Sequence, residues 1–534
     1  MYASARRIFS HTGRIALPLL GATGVYIAST NLLRGYQTSA KVDTTRPVYI
    51  ARRSLVRKKL FPEFTSDYEI LHKLGEGGFA TIYKVRHRPT NAIRVAKVAN
   101  IESESDMAIF MNEVDVMTQL DSPYVGRIIE YYVRNDENGG FIPRTISRTA
   151  VLISHYIDGI DLLDTINERM KNRKQFLDDE LRDIARQILK SLAYVHRMGY
   201  VHRDIKPENY VCTSSIGGKV LLKLIDHGLA TRADSRRNYV ERAGTSFYMA
   251  PETFGDRTRK REYSEKSDCW SVGVILATAA SGGNALIGRS TSLGSAGGKP
   301  GEAELRLIQT QVNKLVDRDV SHDLIDLIQK LLHPDPKQRI SAEEALKHPF
   351  CERAHIKAAL SHGQIELLDR KLSISPNITL LAKVVRLMMA HHVNDSAVPD
   401  AQFVFRHVDA ESEGYVSFDK LQKAVDYAHY NLEEDFKRWD ISSGRGQLSF
   451  EGFLSACLTD GVLSNVELLR FVFQELSAGG QRITPSHLSS YFASSGITKD
   501  SAQTLLNSCF QGGASSFRTG LDFHDFRKCV SGSN

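Results

Sequence analysis

The stretch Tyr200-Val201-His202-Arg203-Asp204-Ile205-Lys206-Pro207-Glu208-Asn209 decides the reading of this chain. One short loop carries a carboxylate, an ammonium and a carboxamide, groups suited to handling a hydroxyl nucleophile, a phosphoryl group and a metal ion together. In that chemistry Asp204 accepts the proton of an attacking hydroxyl, Lys206 neutralises charge on the transferring phosphoryl group, and Asn209 holds magnesium. The plain alternative is a polar turn between two buried segments.

The whole string from His202 to Asn209 resembles the catalytic loop of protein kinases. This resemblance implies an α+β bilobal kinase fold over residues 68–350 and gives a meaning to the segments around the loop. Tyr68 to Leu74 alternates as a strand does and leads into Gly75-Glu76-Gly77-Gly78-Phe79-Ala80-Thr81-Ile82-Tyr83. Glycines let backbone amides approach phosphate oxygens, so Gly75, Gly77, Gly78 and Ile82 are expected around ATP. Ala80 stands where the family usually has a third glycine, which implies a slightly stiffer loop. Lys97, in the strand Ile93 to Val98, matches the lysine that grips the α- and β-phosphates. The apolar residues of Asp106 to Leu120 recur at helical spacing, and Glu113 on that helix is the expected partner of Lys97. Aligning Tyr156 with the hinge aromatic places Asp161 near the ribose and Ser154 at the gatekeeper position, and a small gatekeeper implies sensitivity to bulky aryl inhibitors. Asp226 is the second expected magnesium ligand; His227 departs from the phenylalanine that usually follows it, which implies a looser switch.

The resemblance continues through Gly244 to Glu252, Asp268 to Gly273 and Arg339. Glu241, four residues before Thr245, stands where a carboxylate would answer Arg203 as a regulatory phosphate does, so activity without phosphorylation is expected. Glu252 and Arg339 are expected to form a buried structural ion pair. Ser281 to Gly301, rich in Gly and Ser, reads as an insertion. Lys206, two residues after the base, points to serine or threonine as acceptor, and Glu208 to a basic residue on the protein substrate.

Beyond residues 351–395, read as a junction whose amphipathic helix Ile374 to His392 would plug the cleft, bind a partner or simply pack, the chain repeats itself over 396–534. Val416, Leu448, Ile483 and Leu521 begin equivalent stretches flanked by amphipathic helices. The spacing is similar to four EF-hands in two lobes, an all-α domain. Kinase, basic helix and EF-hands in this order resemble the calcium-dependent protein kinases, which implies an intramolecular contact between the kinase and this domain. The ligands depart from the pattern. Asp409, Glu411 and Glu413 suit a first calcium loop, but Lys420 occupies its twelfth position, where calcium needs a carboxylate. In the other copies the first and twelfth positions are Ile441 and Gly452, Leu476 and His487, Ala514 and Asp525. Weak or no calcium binding is expected, with calcium activation through the first loop, or a catalytically silent scaffold, as the alternatives.

The chain has 534 residues and a formal charge of +7, but residues 1–60 carry eleven Lys or Arg against Asp43, so residues 61–534 carry −3 and nucleic acid is not an expected partner. The first 42 residues contain no Asp or Glu, a composition typical of transit peptides. Residues 1–40 are read as a mitochondrial presequence or, through the uncharged run 15–33, as a membrane anchor; 41–67 read as a basic linker able to touch anionic lipid. Tyr2 excludes N-myristoylation. Six scattered cysteines without a C-x-x-C pair exclude a disulfide framework or zinc site.

Overall fold

The computed structural model describes residues 49–133, 148–214, 220–233, 247–253, 263–282, 310, 312–316, 320–352, 360–373, 378–425, 433–441, 443–508 and 520–531. The expectations for residues 1–40, for Glu241 and Thr245, and for most of the Gly/Ser-rich insertion fall outside these. Among the described residues no helix is long and apolar enough to cross a membrane.

An upper lobe is built on a six-stranded sheet in the order β1-β5-β6-β4-β3-β2, with β1 Arg57–Leu60, β2 Tyr68–Glu76, β3 Ala80–His87, β4 Ile93–Ile101, β5 Ile128–Val133 and β6 Arg148–His155. The register sets Lys97 beside Ile82 on one side and Leu152 on the other. The helix Glu104–Gln119 buries Phe110, Val114 and Met117. It starts where Ser103 Oγ accepts the Asp106 amide (3.1 Å) while Asp106 accepts the Ser103 amide (2.8 Å), satisfying two end donors that would otherwise be unpaired.

The lower lobe is helical. Its helix Asp178–Arg197 opens on Asp178, Asp179 and Glu180 and closes on His196 and Arg197, charges that complement the helix dipole. It buries Leu181, Ile188, Leu189 and Leu192 and feeds the catalytic loop through β8 Tyr200–Val201. Glu265–Ala280 is buried on nearly every side, so no amphipathic stripe marks it. Short strands β7 Ile160–Asp161, β9 Tyr210–Ser214 and β10 Val220–Leu224 form a sheet, and β11 Thr231–Arg232 pairs with β8.

In the C-terminal region β12 Tyr415–Ser417 pairs with β13 Gln447–Ser449, setting Val416 against Leu448, and β14 Arg482–Ile483 pairs with β15 Leu521–Asp522, setting Ile483 against Leu521. The four residues that mark the sequence repeat are thus ladder partners in two couples. A junction helix, Leu380–His392, has all residues from Leu381 to His392 buried and belongs to the core of this region. It begins at Leu380 rather than Ile374, and it packs among the C-terminal helices instead of lying in the catalytic cleft, because it is apolar on most of its circumference.

The span 41–67, expected as a linker, is ordered structure from Tyr49 onward. β1 adds parallel to β5 at the sheet edge, and Phe61–Asp67 forms a helix with Phe64 buried. Ile50 and Leu55 are part of the C-terminal core. The basic residues that suggested a solvated linker have partners: Arg52 faces Glu451 (3.3 Å) and Asp121 (3.9 Å), and Lys59 faces Asp67 and Glu130 (both 3.1 Å) and Glu475 (3.6 Å).

Candidate active site

Three loops and two elements converge between the lobes. Lys97 Nζ donates to both Glu113 oxygens (2.6 and 2.8 Å) and to Asp226 Oδ1 (3.0 Å). Burial alone would lower the lysine's pKa, but Glu113 and Asp226 raise it above its ordinary value, so the ammonium is charged. Burial would raise the Asp226 carboxyl, yet Lys97 and the Gly228 amide (3.0 Å) hold it well below the ordinary carboxylate range. A Cβ on Gly228 would come within 3.3 Å of Asp226 Oδ1 and 3.4 Å of both Glu113 Oε2 and Lys97 Nζ, so this glycine keeps the cluster compact.

The catalytic loop hangs on Asp268, whose carboxylate accepts the amides of His202 and Arg203 (both 2.8 Å) and faces His196 Nε2 (2.9 Å). These bonds hold Arg203 at φ 68°, a left-handed conformation costly for a side-chain-bearing residue. The next residue, Asp204, is thereby presented to the cleft with Lys206 Nζ 2.6 Å from its Oδ2. Asn209 Nδ2 donates to the Asp204 carbonyl (2.8 Å), which fixes the amide's orientation. The Asp226 carboxylate and the Asn209 carboxamide are hard oxygen donors of the kind magnesium takes, and the ionised state of Asp226 fits them to it. Magnesium, if held there by Asp226 and Asn209, would neutralise charge on the ATP phosphates.

His227 is fully buried against His202, with ring centroids 5.1 Å apart, and neither of its nitrogens has a hydrogen-bond partner among the described residues. Burial, with the neighbouring His202 and Lys97, holds its pKa well below the usual value, so a neutral imidazole fills an apolar position. Gly75, Gly77 and Gly78 have no atom closer than 3.7 Å to where a Cβ would stand, which leaves their loop open to a ligand. Asp161 caps the helix Leu162–Lys171, accepting the Asp164 amide at 2.8 Å. Ser154 lies beside Val95 and Ile128 in the neighbouring strands. Glu252 and Arg339 form the expected pair (2.7 and 3.0 Å), with Arg339 fully buried.

The first EF-hand-like loop is closed by its own cation. Lys420 Nζ reaches Asp409 (3.4 Å), the Tyr415 carbonyl (3.1 Å) and Glu413. Asp409 also accepts the amides of Glu413 (2.8 Å) and Gly414 (2.9 Å). Glu411 is exposed, and among the described residues only its backbone carbonyl is engaged, by Arg197 (3.2 Å). The three expected calcium ligands therefore do not gather around one point. In the second loop Asp440 accepts the amides of Ser443 and Arg445 (2.7 Å each) and Gly446 (2.9 Å), closing that turn as well.

The expected contact between kinase and C-terminal region is present, but sequence reasoning did not find the residues that make it. Arg127 donates to the carbonyls of Ala390 (3.0 Å) and Val393 (2.7 Å) and to Asp395 (2.7 Å) and Glu451 (3.2 Å). His155 faces the His391 carbonyl (2.8 Å), and His391 faces Glu451 (2.8 Å) and the Ile129 carbonyl (3.0 Å). A signal was present: Arg94 and His155, polar residues at the edges of the apolar runs in their strands, are direct partners in the sheet.

The protein kinase domain model matches residues 68–351, more than half the chain. Among curated proteins the chain is 24% identical over 490 residues to Calcium-dependent protein kinase 4 of Plasmodium falciparum (isolate 3D7), covering 87% of this chain and 86% of that one. It is 26% identical over 417 residues to Calcium-dependent protein kinase 3 of Plasmodium berghei (75% and 69% covered), and 25% identical over 436 residues to Calcium-dependent protein kinase 3 of Oryza sativa subsp. japonica (79% and 72%). With the domain model matched across both lobes, the Lys97, Glu113 and Asp226 cluster and the loop of Asp204, this chain belongs to the protein kinase family.

Proposed function

We propose that this serine/threonine protein kinase works without a calcium signal, its calmodulin-like C-terminal domain acting as a permanently docked brace. The kinase transfers the γ-phosphate of ATP to protein hydroxyls: Asp204 takes the hydroxyl proton, Lys206 bridges base and phosphoryl group, and Lys97, aligned by Glu113, holds the phosphates. The observation that carries the calcium-free reading is Lys420, an ammonium seated among Asp409, Glu413 and the Tyr415 carbonyl. That loop is also committed to the kinase: Gly414, at φ 83°, lies so near Tyr194 that a Cβ would come within 2.3 Å of the ring. Glu208 Oε2 is buried without a partner among the described residues, which supports a preference for basic residues near the acceptor. The acid-free N-terminus supports import into mitochondria; the N-terminal sequence of the protein recovered from that organelle tests it.

The deciding experiment is phosphate transfer from magnesium-ATP to a basic serine peptide in chelator and then in calcium. Equal rates are expected, with loss of transfer in Asp204→Asn; activity only in calcium would overturn the brace.

A further inference from the structure

A cavity of about 220 Å³ lies in the seam, walled by the hinge residues Tyr156 to Asp158 on one side and by Asp395, Gln402 and Arg406 on the other. It contains none of Lys97, Asp204 or Asp226 and is separate from the catalytic cluster. Its buried charges do not balance. Arg127, Lys223 and Arg406 all line it, against one partly buried carboxylate, Asp395, since the other lining acid, Asp158, is exposed. Asp395 is shared by Arg127 (2.7 Å) and Lys223. Glu451, the second carboxylate on Arg127, also faces Arg52 and His391. Arg406 gives its hydrogen bonds to neutral oxygens, the Gln187 side chain (3.0 Å) and the Pro123 carbonyl (2.6 Å). The Nε atoms of Arg127 and Arg406 are buried without a partner among the described residues, on side chains more than nine-tenths buried.

Burial of uncompensated cations is costly unless an anion answers them. Burial, helped by Arg406 and Arg127, brings Lys223 down to about 8, a sign that positive charge accumulates here. We propose that this cavity is a binding site for a small multivalent oxyanion, carrying phosphate or carboxylate groups, that fastens the hinge to the C-terminal domain through Arg406, Lys223 and Arg127. A guanidinium matches both oxyanion types, and the volume admits a group larger than inorganic phosphate.

The test is thermal unfolding of the full chain in millimolar inorganic phosphate or citrate, against chloride at equal ionic strength. Both wild type and Lys97→Met, whose nucleotide site is impaired, are expected to gain several degrees, since a ligand of the folded state stabilises it by mass action. Arg406→Gln is expected to need at least about tenfold more anion for the same gain, the value of a charge-assisted bond. Ser396→Trp, at an exposed position on the cavity edge, gives the same loss without touching a buried bond. A gain from phosphate alone identifies a phosphate-bearing ligand, and one from citrate alone a polycarboxylate. No gain with either anion, or a gain lost in Lys97→Met but kept in Arg406→Gln and Ser396→Trp, overturns the proposal.

Discussion

Two lysines in this molecule are each held between two carboxylates, and they do opposite things. Lys97 sits between Glu113 and Asp226 in a cleft between lobes; Lys420 sits between Asp409 and Glu413 in a C-terminal loop packed against the kinase. In the cleft the two carboxylates come from separate elements, Glu113 from a helix and Asp226 from a loop, so the ammonium lies where parts of the cleft meet and, in the proposed reaction, would face the phosphates. In the loop the ammonium also takes the Tyr415 carbonyl, and Asp409 is filled by backbone amides, so the cluster is closed on itself. The same pairing of charges makes a binding site where the surroundings keep it open and a staple where they complete it.

The comparison breaks most visibly at the cleft. Lys97→Met is expected to lower kcat/KM by about 10³-fold, the effect of losing a preorganised charge at the reacting phosphates, and peptide phosphorylation measures it. Gly228→Ala should cost about tenfold, because the added methyl must push apart Asp226, Glu113 and Lys97; the size of a 1 Å misplacement sets the scale.

In the loop, Lys420→Glu replaces the staple with a third carboxylate. Unfolding in chelator should then show the C-terminal domain weakened by about 1–3 kcal/mol, the cost of leaving partly buried charge unanswered, and calcium should restore it, since the twelfth-position carboxylate is what the loop lacks. A variant indifferent to calcium would show that Asp409 and Glu413 are locked by their amides alone.

Acid should loosen the seam. Burial holds His155 and His392 well below the usual imidazole value and lowers His87 to about 4. His87 and His392 pack on either side of Phe471, each with ring centroids 4.9 Å away. Unfolded, these rings take up protons near pH 6.5, so between pH 6.5 and 4 the unfolded state binds more protons and stability falls as pH falls. At pH 5 the His87 ring contributes a loss of about 2 kcal/mol, His155 and His392 add to it in the same direction, and melting against pH, with the fall reduced in His392→Gln, measures the sum. The smallest effect is expected at His227→Phe: removing two unpartnered buried nitrogens should stabilise by about 1 kcal/mol with activity kept.

Most of the active site is written in local strings, which is why it was legible. A loop whose function depends on residues two and five apart, such as Asp204, Lys206 and Asn209, carries its geometry in its spacing. The repeat was legible for the same reason, since β-pairing of Val416 with Leu448 imposes matching patterns on both stretches. The seam was not. Arg127 finds its partners among residues 390–451, and nothing near Arg127 in the chain announces them. The segment 50–60 misled for a related reason: a run of basic residues looks solvated until the acids that meet it, Glu130, Glu451 and Glu475, arrive from far away.

That same segment sets an order of assembly. Ile50 donates its amide to the Ile441 carbonyl (2.7 Å), and the Ala51 amide reaches Ser495 Oγ (3.0 Å), 444 residues away. At ordinary rates of synthesis, 5–20 residues per second, the strap waits on the order of 20–90 s for its seat to emerge. For that interval Ile50, Leu55 and Arg52 lack the C-terminal core and the Glu451 carboxylate that cover them, although β1 can already pair with β5. A shortened chain ending after residue 350 would leave it in that state for good, so the isolated catalytic domain is best regarded as an unfinished intermediate of this protein.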